Sequence, residues 1–173
     1  YLSMRFLPLL VFILLVTALG VAVPHNNADT NKFALHVNEP APVTDLPSFD
    51  LVHKGFTARD TLGRAYVINF FASWCVPCHA EHSSLLALAK DFHIPIIGIA
   101  FKDKADKINE FLQKDGNPFV IVADDAKGRT GIDWGLTGVP ETFIIDAQGI
   151  TRFHFVGPMT EEVVTPEFLP VWA

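Results

Sequence analysis

Cys75 and Cys78 are the only cysteines in a chain of 173 residues, and only Val76 and Pro77 stand between them. Thiols at this spacing lie one helical turn apart and can cycle between dithiol and disulfide, so the pair is a redox site before it is anything else. Bracing the fold is a poor reason for it. Closing so small a ring removes only about 2 kcal/mol of unfolded-chain entropy, against about 3 kcal/mol for a fifteen-residue loop. A helix beginning near Cys75 places that sulfur among unpaired backbone N–H groups at the positive end of the helix dipole, which favours a thiolate.

The pair follows a nearly continuous apolar run over residues 66–72, which predicts a strand buried on both faces. After it, Leu85, Leu88, Ala89 and Phe92 recur at helical spacing, predicting a helix with one apolar stripe that ends near His93. Residues 94–101 read as a second buried strand. Residues 104–114 read as an amphipathic helix with Ile108, Phe111 and Leu112 inward and Gly116 as its stop, and residues 119–123 as a third strand. Residues 142–145 and 151–156 flank Asp146-Ala-Gln-Gly149 at the spacing of an antiparallel hairpin. A tail from Thr160 is expected to be helical but interrupted by Pro166 and Pro170. This order predicts a three-layer α/β domain with a mixed sheet, its reactive groups at the carboxyl ends of the strands.

The rest of the chain fits an exported protein. Residues 6–23 carry no charge, follow Arg5 and precede a polar stretch, so residues 1–24 are expected to be an uncleaved membrane anchor. Residues 25–46, with Glu39-Pro-Ala-Pro42 and no sustained period, read as a tether. The domain is expected over residues 47–173, opening with a short strand at 48–53. A net charge of -6 with 13 scattered Lys and Arg argues against a phosphate-binding face, so no nucleic-acid partner is expected.

The segments Ala72-Ser-Trp-Cys-Val-Pro-Cys-His-Ala-Glu-His82, Gly116-Asn-Pro-Phe119 and Gly138-Val-Pro-Glu-Thr-Phe-Ile-Ile-Asp146 together resemble the CcmG/DsbE proteins of bacterial cytochrome c maturation. The resemblance runs from about Ser48 to Trp172. It implies a thioredoxin-like domain anchored in the inner membrane and facing the periplasm, with no cofactor. The implied activity is reduction of a disulfide in apocytochrome c or in a maturation partner, with electrons from a DsbD/CcdA-type membrane reductase. By the same resemblance Cys75 is the attacking thiolate and Cys78 the resolving thiol. Pro140 is a cis-proline that leaves the backbone at Val139 free to pair with an extended client, and Trp74, Val76 and Pro77 line the client side. Glu81 and Glu141 match the acidic residues that the family places around the cysteines. Either would oppose a thiolate or accept a proton from Cys78. One departure is Gly157-Pro158, where family members often carry an acidic residue.

Three other readings stand beside this one. A general ResA/TlpA-type reductase shares the fold. Cys75-Val-Pro-Cys-His79 also fits C-x-x-C-H, the attachment sequence of c-type haem, although it follows a buried strand and only Met4 and Met159 offer a thioether. Cys75, Cys78, His79 and His82 form a Cys2His2 zinc set only on paper, because four ligands within eight residues of one helix do not surround a tetrahedral ion. His79 and His82 are therefore expected on the helix surface and Trp74 as a cap on the site. Asp124, Asp125 and residues 102–104 are expected as solvated loop charges, and Trp134 as core.

Overall fold

The computed structural model describes residues 37–48, 55–61 and 63–172, together with Val11, Phe12 and Leu14. The chain divides into two compact units, Tyr1–Asn31 and Lys32–Ala173. In the first, the three described residues are helical. Apart from them, the anchor expected over residues 1–24 lies outside the described residues, as does the strand expected at 48–53 beyond Ser48. Among the described residues no helix is long and apolar enough to cross a membrane.

The second unit is built on a five-stranded sheet. Its strands are β3 (Tyr66–Phe71), β4 (Ile96–Phe101), β5 (Ile121–Asp125), β6 (Glu141–Ile145) and β7 (Thr151–Val156), in the order β5-β4-β3-β6-β7. β3, β4 and β5 run parallel, and β6 and β7 are antiparallel additions. The parallel half is joined through α1 (Val76–Lys90) and α2 (Ala105–Asp115), because parallel neighbours need a long crossover. All six residues of β3 are buried, as the apolar run predicts for a central strand. Alternation along it feeds two cores. Val67 and Phe71 join Leu85 and Leu88 of α1 and Ile108 and Phe111 of α2. Ile68 and Phe70 join Phe143 and Trp134 on the other side. The latter core also takes Phe56 of β2 (Phe56–Thr57), with Leu46 of its antiparallel partner β1 (Asp45–Leu46) packed against it. The expected mixed-sheet α/β domain is therefore present, with the hairpin turning through Gly149 at φ +79°.

Several expectations need correction. Asn38, Glu39 and Ala41 make backbone hydrogen bonds of 2.8–2.9 Å with Thr151 and Gly149, so the later part of the expected tether is bonded to the sheet edge. Backbone pairing needs no apolar period, which is why composition does not reveal it. Phe92 lies beyond the last turn of α1 and is half exposed, having left the helical stripe. The short helix α3 (Arg129–Asp133) has no expected counterpart; Asp125 accepts the Thr130 and Gly131 N–H groups at its start, at 3.2 and 2.9 Å. Asp125 is consequently buried and not a solvated loop charge. The tail is one continuous helical run, Glu161–Val163, Val164–Phe168 and Leu169–Trp172, whose middle section is π-wound. The wider π turn accommodates the Pro166 ring, and buried Val164 and Phe168 fix the run to the core.

Candidate active site

β3 ends at Phe71, and the Cys75 N–H donates to the Ala72 carbonyl at 3.3 Å to form the turn into α1. Cys75 is the N-cap of that helix, in extended backbone, and its Sγ accepts the Cys78 N–H at 3.2 Å. A sulfur therefore occupies the place that a Ser or Asp oxygen usually fills at an N-cap. Pro77 sits in the first turn, where its missing N–H costs nothing, and no acidic residue there offsets the dipole. Cys75 and Cys78 are joined as a disulfide with their Cα atoms 5.3 Å apart. Their exposures are 4% and 2%, so both sulfurs are buried in the oxidised form and Cys75 is only marginally the more open, contrary to what its place at a helix start suggests. The solvent-facing rim is apolar instead: Trp74, Val76 and Pro77 are all exposed.

The turn is held from both sides. Asp103 accepts the Ser73 N–H at 2.5 Å and the Lys104 N–H at 2.7 Å, so it organises the site entrance and is not a free loop charge. Trp74 donates its Nε1–H to the Lys102 carbonyl at 3.2 Å. His79 Nε2 lies 2.8 Å from the Ser73 carbonyl, which requires the Nε2–H form, and its ring rests 4.2 Å from that of Phe111. His82 is buried rather than on the surface; its Nε2 lies 2.8 Å from the Gly116 carbonyl. With both imidazoles turned to carbonyls and the sulfurs bonded to each other, the zinc arrangement has no geometric support. Across from the disulfide, the Val139–Pro140 bond is cis, and the Val139 carbonyl oxygen lies 3.4 Å from Cys75 Sγ.

The two carboxylates expected near the cysteines occupy opposite faces of the sheet. Glu81, one turn past Cys78, is fully buried. Its Oε1 accepts from Asn69 Nδ2 at 2.9 Å and its Oε2 from the Met159 N–H at 2.8 Å. Burial pushes its carboxyl up from an ordinary 4.5 to about 7, against the pull of these two hydrogen bonds. Asn69 pairs with Thr142 across β3 and β6, whereas Glu141 is one residue earlier, pairs with Phe70 and points the other way. Glu141 is equally buried. Its Oε1 accepts from the Thr137 N–H, the Thr137 hydroxyl and the Gly138 N–H at 2.7, 2.6 and 3.1 Å, and its Oε2 lies 2.6 Å from His154 Nε2. Burial raises its pKa, but the hydrogen bonds from His154 and Thr137 outweigh that and hold it below the usual carboxylate range.

The Redoxin family model matches residues 36–168 of the chain. HelX of Rhodobacter capsulatus, a thiol:disulfide interchange protein, is 37% identical over 171 residues, covering 98% of this chain and 96% of HelX. The chain belongs to the Redoxin family, among the thiol:disulfide interchange proteins. DsbE of Allochromatium vinosum, also a thiol:disulfide interchange protein, is 36% identical over 137 residues, 79% of this chain and 76% of its own. A solved thiol:disulfide interchange protein of Chlorobium tepidum superposes with a TM-score of 0.63 at 27% identity, over 78% of this chain and 96% of that one. The fold is thus thioredoxin-like, and the protein is a thiol-disulfide oxidoreductase whose cysteine pair is Cys75–Cys78.

Within this thiol:disulfide interchange protein, sequence reasoning missed the partners of the buried charges. Asn69 carries a legible signal, as the one amide in a strand otherwise apolar from Val67 to Phe71. His154 carries a similar one, standing between Phe153 and Phe155. Thr137 and the backbone of Met159 carry none, because their importance arises only once distant segments meet.

Proposed function

We propose that the protein is a membrane-anchored, periplasm-facing reductant that opens disulfides of apocytochrome c, or of a maturation partner, during cytochrome c biogenesis. The observation that carries this reading is Cys75 Sγ at the N-cap of α1, accepting the Cys78 N–H at 3.2 Å and facing the Val139 carbonyl at 3.4 Å. In the reduced enzyme, the Cys75 thiolate attacks a client S–S bond, forms a mixed disulfide and releases one client thiolate. Cys78 then loses its proton and attacks Cys75 Sγ, expelling the second client thiolate and closing the Cys75–Cys78 bond. One electron pair passes from enzyme to client, and a DsbD/CcdA-type membrane reductase restores the dithiol.

Glu81 is the acceptor for the Cys78 proton. A carboxylate with a pKa of about 7 is matched to a thiol near 8.5 far better than an ordinary one near 4. The backbone at Val139, beside cis-Pro140, offers an edge along which an extended client can pair, and the exposed Trp74, Val76 and Pro77 give that client an apolar seat. The charge-free stretch at residues 6–23 supports the anchor, with the polar residues after it as the tether to the domain. The resemblance to the cytochrome c maturation proteins supports the choice of client.

Trapping tests the whole reading. Cys78→Ala leaves the attacking sulfur but no resolving one, so it is expected to accumulate mixed disulfides with apocytochrome or maturation proteins, while Cys75→Ala accumulates none. Equal trapping by the two variants refutes the order of attack. Captured partners unrelated to cytochromes refute the client assignment in favour of a general reductase.

A further inference from the structure

Glu141 stands at the first position of β6, immediately after the cis-proline, yet neither of its oxygens faces the cysteines. One oxygen collects three donors from Thr137 and Gly138, and the other is taken by His154. His154 belongs to β7, opposite Phe143 in the register, and its ring stacks on Phe143 at 4.1 Å and 12°. A single buried carboxylate thus ties β6, β7 and the segment leading to Pro140 together. A buried carboxylate needs such partners, and its hydrogen bonds strengthen where water is absent. The anchored segment carries the Val139 carbonyl that faces Cys75 Sγ, so a shift of the loop moves a group that borders the reacting sulfur.

We infer that Glu141 and His154 are positioning residues, a buried latch that fixes residues 137–140 so that the Val139 backbone meets an extended client beside Cys75. This rests on the proposed function, in which clients pair along Val139. It separates the two carboxylates: Glu81 handles a proton, and Glu141 holds the client-facing loop through Thr137 and Gly138. The thiol chemistry itself makes no use of the latch, so the latch acts on recognition of a peptide and not on exchange with a small disulfide.

The test compares two oxidised substrates, a synthetic peptide with a disulfide-closed Cys-x-x-Cys-His loop and hydroxyethyl disulfide, using the reduced protein. His154→Phe keeps an aromatic ring over Phe143 but removes the donor to Glu141. It is expected to lower kcat/KM for the peptide about tenfold, mainly through KM, while the rate with hydroxyethyl disulfide changes less than about twofold. His154→Gln, which retains a donor, should recover most of the loss. Thr137→Val replaces only the hydroxyl of an exposed residue by a methyl, leaves the Thr137 and Gly138 N–H donors to Glu141 in place, and should give about a threefold loss on the peptide alone. A second readout needs no client: amide exchange at Thr137 and Gly138 should quicken in His154→Phe relative to the neighbouring strand β6. Equal losses on both substrates, or unchanged exchange at Thr137 and Gly138, overturn the latch. A wild-type protein that reduces hydroxyethyl disulfide but not the peptide refutes the proposed client class instead, and the exchange result then still decides the latch.

Discussion

Replacing Glu81 by Gln should make the oxidised protein more stable at alkaline pH, by an amount that grows with pH. The carboxyl titrates near its ordinary 4.5 in the unfolded chain and at about 7 in the folded one. A group whose folded pKa is raised contributes stability that is fully present below about 4.5 and is lost as pH rises through about 7. With a shift of about 2.5 units at 1.36 kcal/mol each, the full loss is on the order of 3 kcal/mol. Linkage places about 1 kcal/mol of that at pH 5 and about 3 kcal/mol at pH 8. The substituted amide does not ionise and escapes the loss. It also disturbs the bonds to Asn69 and Met159, but that cost does not vary with pH and cancels when the two pH values are compared. Urea unfolding of the oxidised variant and wild type, at pH 5 and pH 8, measures the difference. The gap between them should widen by about 2 kcal/mol in favour of Glu81→Gln, which is about 1 M in midpoint at a typical slope. Other titrating groups are common to both proteins, and the joined cysteines do not ionise. A gap that stays constant between the two pH values refutes the reasoning, because Glu81 would then titrate like a surface carboxyl and could not accept a proton from Cys78 near neutrality.

Two further predictions concern the scaffold. A Cβ added at Gly98 in β4 would meet the Phe119 ring at 2.7 Å, so Gly98→Ala should lower the urea midpoint by the equivalent of about 1–3 kcal/mol, at unchanged slope. Trp134→Phe removes the Nε1–H bond of 2.9 Å to Thr44 and part of a buried side chain, and a loss of about 2–4 kcal/mol is expected in the same assay.

The sheet and its two crossover helices were legible because burial imposes a period on sequence. Residues 66–72, apart from Asn69, and 94–101 are apolar since strands covered on both faces admit little else, and Ile108, Phe111 and Leu112 mark the inner side of α2. The cysteine pair was legible for another reason: few spacings let two thiols close a reactive ring. What stayed hidden depends on contacts between distant segments. Asp125 looks like a loop charge until α3 forms and presents two free N–H groups to it. His82 looks like a surface residue of α1 until the Gly116 carbonyl arrives from the end of α2. Glu81 and Glu141 look alike as acids in a redox protein. Only the register of β3 and β6 assigns them to opposite faces. The helical tail shows the limit of local rules, because packing of Val164 and Phe168 overrides two prolines that read as breaks.

Under the proposed function the enzyme carries Cys75-Val-Pro-Cys78-His79, the same pattern as the client it reduces. The two rings are of equal size, so the entropy of closing them cancels in an exchange between them, and the direction of electron flow rests on the surroundings of the sulfurs. At the enzyme, the Cys78 N–H and the start of α1 stabilise a thiolate on Cys75. Stabilising the reduced form makes a disulfide more oxidising, so taken alone these features favour the wrong direction for a reductant. Glu81 supplies the opposing influence, since an ionised carboxylate buried one turn past Cys78 disfavours a second negative charge in the same apolar surroundings. That opposition strengthens as pH rises through about 7 and Glu81 ionises. The client, extended and solvated, has neither influence. His79 completes the distinction: its Nε2 is turned to the Ser73 carbonyl and its ring packed near Phe111, which withholds the imidazole that a haem would need from the one C-x-x-C-H segment that is already folded.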